Sequence, residues 1–206
     1  MNRPSRRAFT AAATATLLAG CAAHPRAGSA APAAETGSPE ATPAPGPASV
    51  RPLARSVPVR LRIPAIGVDT PLIRLGLAPD GTVEVPPVTA HDRAGWYEHS
   101  PTPGRTGPSV VLGHVTVGAY GDGVFRDLAR LRRGDRVAAR LADGVEAEFT
   151  VTDRRTVAKA HFPSAAVYGD VDRPELRLIT CGGPRTGDGY ADNVIVFAAL
   201  TSSKRP

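Results

Sequence analysis

From Val57 onward, short apolar runs return at close intervals, and this pattern limits what the chain can fold into more than any other feature. Val57, Val59, Leu61 and Ile63 alternate with Pro58, Arg60 and Arg62, the period of two expected of a strand with one buried face. Further strand candidates are residues 68–73, 82–85, 109–112, 136–141, 147–155, 176–180 and 193–200. Turn formers separate them, among them Pro79-Asp80-Gly81, Arg133-Gly134-Asp135 and Ala142-Asp143-Gly144. Many short strands at this spacing predict a closed barrel or a sandwich. One helix is expected over residues 123–132, where Phe125, Leu128 and Leu131 recur every three residues. It is too short to stand alone and must pack on the sheet.

The first 56 residues are built differently. Arg3, Arg6 and Arg7 precede a weakly hydrophobic, Ala-rich run from Ala8 to Ala19, the layout of an export signal rather than a fold element. Ser5-Arg6-Arg7-Ala8-Phe9 resembles a twin-arginine signal, and Leu18-Ala19-Gly20-Cys21 resembles a lipobox. Cys21 is therefore the expected lipidation site and membrane anchor. Residues 22–56 hold mostly Ala, Pro, Gly, Ser and Thr, too little apolar surface to offset chain entropy. They are expected to form a disordered, semi-extended linker. The predicted division is a signal peptide over 1–21, a linker over 22–56 and one domain over 57–206.

The formal net charge of +6 raises the question of nucleic acid. From residue 57 to the end, however, nineteen Lys and Arg stand against seventeen Asp and Glu, so the excess lies mainly in the leader and linker. Without a dense basic stripe, and with only 5% aromatic residues, no nucleic-acid partner is expected. The histidines are scattered, and neither paired-Cys nor His-x-x-x-His spacing occurs, so no metal site is expected. No organic cofactor is implied, and a monomer is the default expectation.

Two residues at predicted strand ends carry the chemistry. Cys181 follows Leu176-Arg177-Leu178-Ile179-Thr180 and precedes Gly182-Gly183-Pro184, where a loop opens and a thiol can be reached. A buried, inert cysteine is the competing reading. His114 stands where Val110-Val111-Leu112-Gly113 ends. The other histidines, His24, His91, His99 and His161, read as surface or loop residues. A thiol needs a nearby cation or base to become the attacking thiolate, so the pair is a candidate nucleophile and base. Spacing alone does not bring them together.

Taken with its surroundings, this pair resembles the sortase family, and within it the class F sortases of high-GC Gram-positive bacteria, the actinobacteria. The likeness runs through Val59-Arg60-Leu61-Arg62-Ile63-Pro64-Ala65-Ile66-Gly67-Val68, Gly95-Trp96-Tyr97 with Pro101 to Gly104, residues 110–115, 125–131 and 178–183, and the closing 192–198. It implies an all-β fold, a closed eight-stranded β-barrel with one or two short helices and a groove that ends at the thiol. It also implies a cysteine transpeptidase that cleaves a Leu-Pro-x-Thr-Gly-like sorting signal of exported proteins through a thioacyl-enzyme. The acyl group then passes to an amine, from a cell-wall precursor or a pilin-like lysine. On this resemblance Cys181 is the nucleophile and His114 the acid/base group. The family's third residue is an arginine, in many sortases on the final strand, which here reads Tyr190-Ala191-Asp192-Asn193-Val194-Ile195-Val196 and has none. Arg185 is the nearest candidate, Arg177 the runner-up, and Asn193 a neutral alternative.

Other classes compete. L,D-transpeptidases place a His-Gly pair immediately before their Cys, where this chain has Ile179-Thr180, and papain-like hydrolases need Cys before His. A non-catalytic surface lipoprotein that binds peptides in the same groove is the alternative function.

Overall fold

The structure, a computed structural model, describes residues 50–187 and 189–205. The leader, Cys21 and the linker up to residue 49 lie outside the described residues. The strands are β1 (Pro58–Ile63), β2 (Val68–Leu75), β3 (Ala94–Tyr97), β4 (Gly107–Leu112), β5 (Thr116–Val117), β6 (Gly121–Asp122), β7 (Arg136–Leu141), β8 (Glu146–Ala158), β9 (Pro174–Thr186) and β10 (Gly189–Lys204). Eight of them close into one barrel in the order β1-β2-β3-β4-β9-β10-β8-β7, with β7 returning to β1, while β5 and β6 form a separate hairpin. Neighbours run antiparallel except β2 with β3 and β4 with β9. This is the closed all-β barrel the resemblance implies, and closure leaves the sheet no free edge.

Period-two alternation sorts the side chains between two packed layers. Leu61, Ile63, Trp96, Phe149, Leu176, Leu178, Val194 and Val196 fill the barrel interior with Phe125 and Leu128. Val110, Ile179, Ile195 and Phe197 point the other way, into an outer layer that Val167 completes. Val167 belongs to the one α-helix of the described residues, α1 (Ser164–Tyr168), on the connection from β8 to β9. Because β4, β9 and β10 are covered on both faces here, their sequences read as near-continuous apolar runs.

Several local expectations change. Residues 123–132 form turns and one short 3-10 segment, Leu128–Arg130, rather than an α-helix. The spacing of three already matched the three residues per turn of a 3-10 helix, and Phe125, Leu128 and Leu131 do reach the core. Val59 is 42% exposed because the β1–β7 register shifts between Pro58 and Arg60, so only Leu61 and Ile63 follow the inward alternation. Residues 82–85 supply a single bridge, Leu77 to Val83, instead of a strand. The sequence reading missed β3, whose four residues are too few for a period to emerge, and it missed α1. Within residues 50–56, Leu53 packs on the core and its N–H donates to the carbonyl of Gly104, 2.8 Å away.

Candidate active site

β4 and β9 lie side by side and parallel, with Leu112 paired to Ile179, and the N–H of Gly113 donates to the Ile179 carbonyl at 3.1 Å. His114 and Cys181 each follow that last pair by two residues. His114 therefore stands just past the end of β4, level with Cys181, which lies inside β9 because that strand pairs with β10 as far as Thr186 instead of opening into a loop after the thiol. Alternation along β9 sends Leu176 and Leu178 inward and Ile179 outward, so Cys181 takes the outer face with Ile179. The thiol is free and half-buried, neither sealed in the core nor fully open to solvent.

The His114 backbone is held from behind, where its carbonyl accepts the N–H of Phe125 at 2.8 Å. The adjacent glycines explain how the chain fits. A Cβ on Gly113 would strike the Phe125 ring, and one on Gly123 would strike the His114 carbonyl. In front, Nε2 of the imidazole lies 2.6 Å from the carbonyl oxygen of Pro86, on the β2–β3 connection. Two residues further on, the Thr116 hydroxyl meets the Tyr190 hydroxyl at 2.8 Å, which ties the His114 segment to the β9–β10 hairpin that carries Cys181.

The three candidates for the third role stand in different places. Asn193 is the cross-strand partner of Cys181. Directly opposed residues share a face with Cβ atoms about 4.5–5.5 Å apart, so the amide flanks the sulfur. Arg185 pairs with Tyr190 beyond a register shift, and its guanidinium sits 5.5 Å from the centre of the Tyr190 ring. On β10, Val194 faces inward, so alternation puts Asp192 and Tyr190 on that side and Asn193 on the other. The Arg185–Tyr190 pair thus continues the face opposite Cys181. Arg177 is 3% exposed, donates to Glu175 at 2.6 Å and stacks 4.6 Å over Phe197. Its charge is committed to the outer packing layer.

Along the outer face from His114, past Leu112 and Val110, lies a cavity of about 400 Å³. Leu77 and Val83 of the β2–β3 connection wall it on one side, Tyr97 and Val110 form its floor, and Tyr168 with Asp170 close it. Its lining is mixed, with His99 and Ser100 beside these residues, and neither His114 nor Cys181 contributes to it. Among the described residues, no group of three or more His, Cys, Asp or Glu could hold a metal ion. Sequence reasoning missed the Pro86 carbonyl and the Thr116–Tyr190 tie. Only the Pro86-Pro87 pair, a stiff element ahead of β3, signalled either.

Comparison with known proteins agrees with the barrel fold. Residues 61–201 match the family described as the sortase domain. Sortase A of Listeria monocytogenes superposes with a TM-score of 0.55 at 16% identity, over 73% of this chain and 91% of that one. The SrtA sortase from Actinomyces oris gives 0.54 at 22% identity, over 73% and 82%. The sortase D5 transpeptidase of Clostridium perfringens gives 0.52 at 22% identity, over 71% and 79%. No curated protein matches the chain significantly.

Proposed function

Because the chain belongs to the sortase family of cysteine transpeptidases, which act at the cell surface on sorting-signal peptides and amine acceptors, we propose that Cys181 and His114 are its nucleophile and acid/base pair. The observation that carries this reading is the β4–β9 register, whose last pair, Leu112 with Ile179, leaves His114 and Cys181 each two residues further on at one level. The Cys181 sulfur attacks the Thr carbonyl of a Leu-Pro-x-Thr-Gly-like signal. The resulting tetrahedral centre expels the downstream amine, which His114 protonates, and leaves a thioacyl-enzyme. His114 then deprotonates an incoming amine, which takes the acyl group and frees the thiol.

We assign the third role, stabilising the oxyanion, to the Asn193 amide rather than to Arg185, because Asn193 shares the face of the sulfur and Arg185 continues the other. The outer-face cavity is the proposed seat of the apolar part of the signal. Cys21 is the proposed lipid attachment point after export by a twin-arginine route, with residues 22–49 as the spacer. By its motifs the chain is proposed to group with the class F sortases of actinobacteria. The enzyme is proposed to work as a monomer on the outer face of the cytoplasmic membrane, joining exported proteins to a cell-wall precursor or a pilin-like lysine.

The test is incubation with a Leu-Pro-x-Thr-Gly peptide and a small amine, followed by mass spectrometry. A thioester at Cys181 and an amide product are expected. One observation favours a second reading, that of a non-catalytic peptide-binding module: β10 carries no arginine. Peptide binding without adduct or cleavage would establish that alternative.

A further inference from the structure

We propose that the main-chain carbonyl of Pro86 holds His114 in its Nε2–H tautomer and so makes Nδ1 the one ring atom that exchanges protons during the reaction. The inference rests on His114 being the acid/base group. Pro86 O and His114 Nε2 are 2.6 Å apart. A carbonyl oxygen has lone pairs and no proton to give, so Nε2 must be the donor in both the neutral and the cationic ring. The hydrogen bond at one ring nitrogen decides the state of the other.

The carbonyl is in place before any substrate arrives. Its peptide bond leads into Pro87, whose φ of −54° and ψ of 143° are extended, and a residue preceding proline is itself confined to the extended region. Downstream, the Pro87 carbonyl accepts the Ala90 N–H at 2.8 Å, and the Asp92 carbonyl accepts the Thr70 hydroxyl of β2 at 2.8 Å. Upstream, the Gly76 N–H donates to the Glu84 carboxylate at 2.8 Å, and the Glu84 N–H returns to the Gly76 carbonyl at 3.1 Å. The segment is thus tied to β2 and its end on both flanks of Pro86. With Phe125 holding the backbone behind it, the imidazole is gripped from two sides.

The arrangement follows the logic of a catalytic triad, in which a third group orients the base. A neutral carbonyl fixes direction here without adding a negative charge. The proton count closes on Nδ1 alone. It takes the thiol proton as sulfur bonds to the carbonyl carbon, and passes it to the nitrogen as the C–N bond breaks. In the second half it takes a proton from the attacking amine and returns it to sulfur as the C–S bond breaks. The Nε2 hydrogen stays on the carbonyl throughout.

The test is long-range proton–nitrogen NMR on the full chain labelled with 15N-histidine, with His114 assigned by the signal lost in His114→Ala. A neutral ring protonated at Nε2 is expected. Pro87→Gly, which frees the backbone after the carbonyl, should mix the tautomers and lower kcat on the order of 10²-fold while KM stays nearly unchanged. Glu84→Ala, which loosens the upstream flank, should act in the same direction and takes over if Pro87→Gly fails to fold. A ring protonated at Nδ1 overturns the inference, as do variants that mix the tautomers and keep kcat, or that change neither. The two readings fail separately. Full activity in His114→Ala sinks the acid/base role whatever the tautomer, whereas an Nδ1–H ring in an enzyme that His114→Ala inactivates sinks only the role of Pro86.

Discussion

Cys181 on β9 faces Asn193 on β10 across an antiparallel pair. Cross-strand partners cannot change faces without a shift in register, so the amide stays beside the sulfur for as long as the barrel is closed. Arg185, although nearer in sequence, lies beyond the irregularity between Tyr190 and Asp192. Asn193→Ala is expected to lower kcat by about 10²–10³-fold, the usual loss of one oxyanion donor. Arg185→Ala should leave kcat nearly unchanged. Steady-state kinetics on a sorting-signal peptide decide the matter, and the reverse ranking would hand the role to Arg185.

Cys181→Ala and His114→Ala should each abolish turnover. Residues that act as one unit lose most of the rate singly, so the double variant should be no slower than the worse single one. Single-turnover assays with intact-mass detection of the thioester test this, and additive losses would mean that the two do not act together.

Gly123→Ala forces a Cβ against the carbonyl of His114. A backbone atom cannot step aside cheaply, so the His114 segment must move. The expected result is a fall in kcat on the order of 10²-fold, together with slower alkylation of Cys181, whose thiolate depends on His114. Unchanged kcat and alkylation would mean that the His114 segment yields to the added Cβ without losing its place.

Arg177 and Glu175 should matter for stability rather than chemistry. Breaking a buried ion pair typically costs about 3–5 kcal/mol, so Arg177→Ala should lower the urea midpoint sharply while the folded fraction keeps its kcat. Burial pushes the Glu175 carboxyl up, but hydrogen bonds and charge from Arg173 and Arg177 outweigh it and leave its pKa below the ordinary 4.5. The unfolded chain then binds the proton more readily, so this stabilisation is complete above pH 4.5 and fades as pH falls through the folded value. Urea titrations at neutral and acidic pH should show Glu175→Gln less stable at neutrality and less weakened by acid than the parent. Equal acid sensitivity would remove Glu175 from the account.

Cys21→Ser should release the protein from the membrane fraction of a producing cell and remove a lipid-sized mass from its N-terminus. Unchanged fractionation would show that another element holds it there.

Much of this was legible before any coordinates. The alternation in residues 136–141 matches β7 residue for residue, because a side chain's face follows from its own strand. The strand-end position of His114 was legible for the same reason, whereas Cys181, expected at a strand end, lies inside β9, which its pairing with β10 extends to Thr186. The 123–132 segment misled because three- and four-residue spacings blur over two turns, and β3 was too short to register. The sequence by itself therefore determined the strand periods, the family, and which thiol and imidazole to consider, all of which are written in short contiguous segments. Only the tertiary structure decided that β4 runs beside β9, that Asn193 rather than Arg185 shares the face of the sulfur, that Arg177 is spent on packing, and that a carbonyl 28 residues away meets His114. Those relations depend on register, a bulge and barrel closure, which bring together groups from segments far apart in the chain.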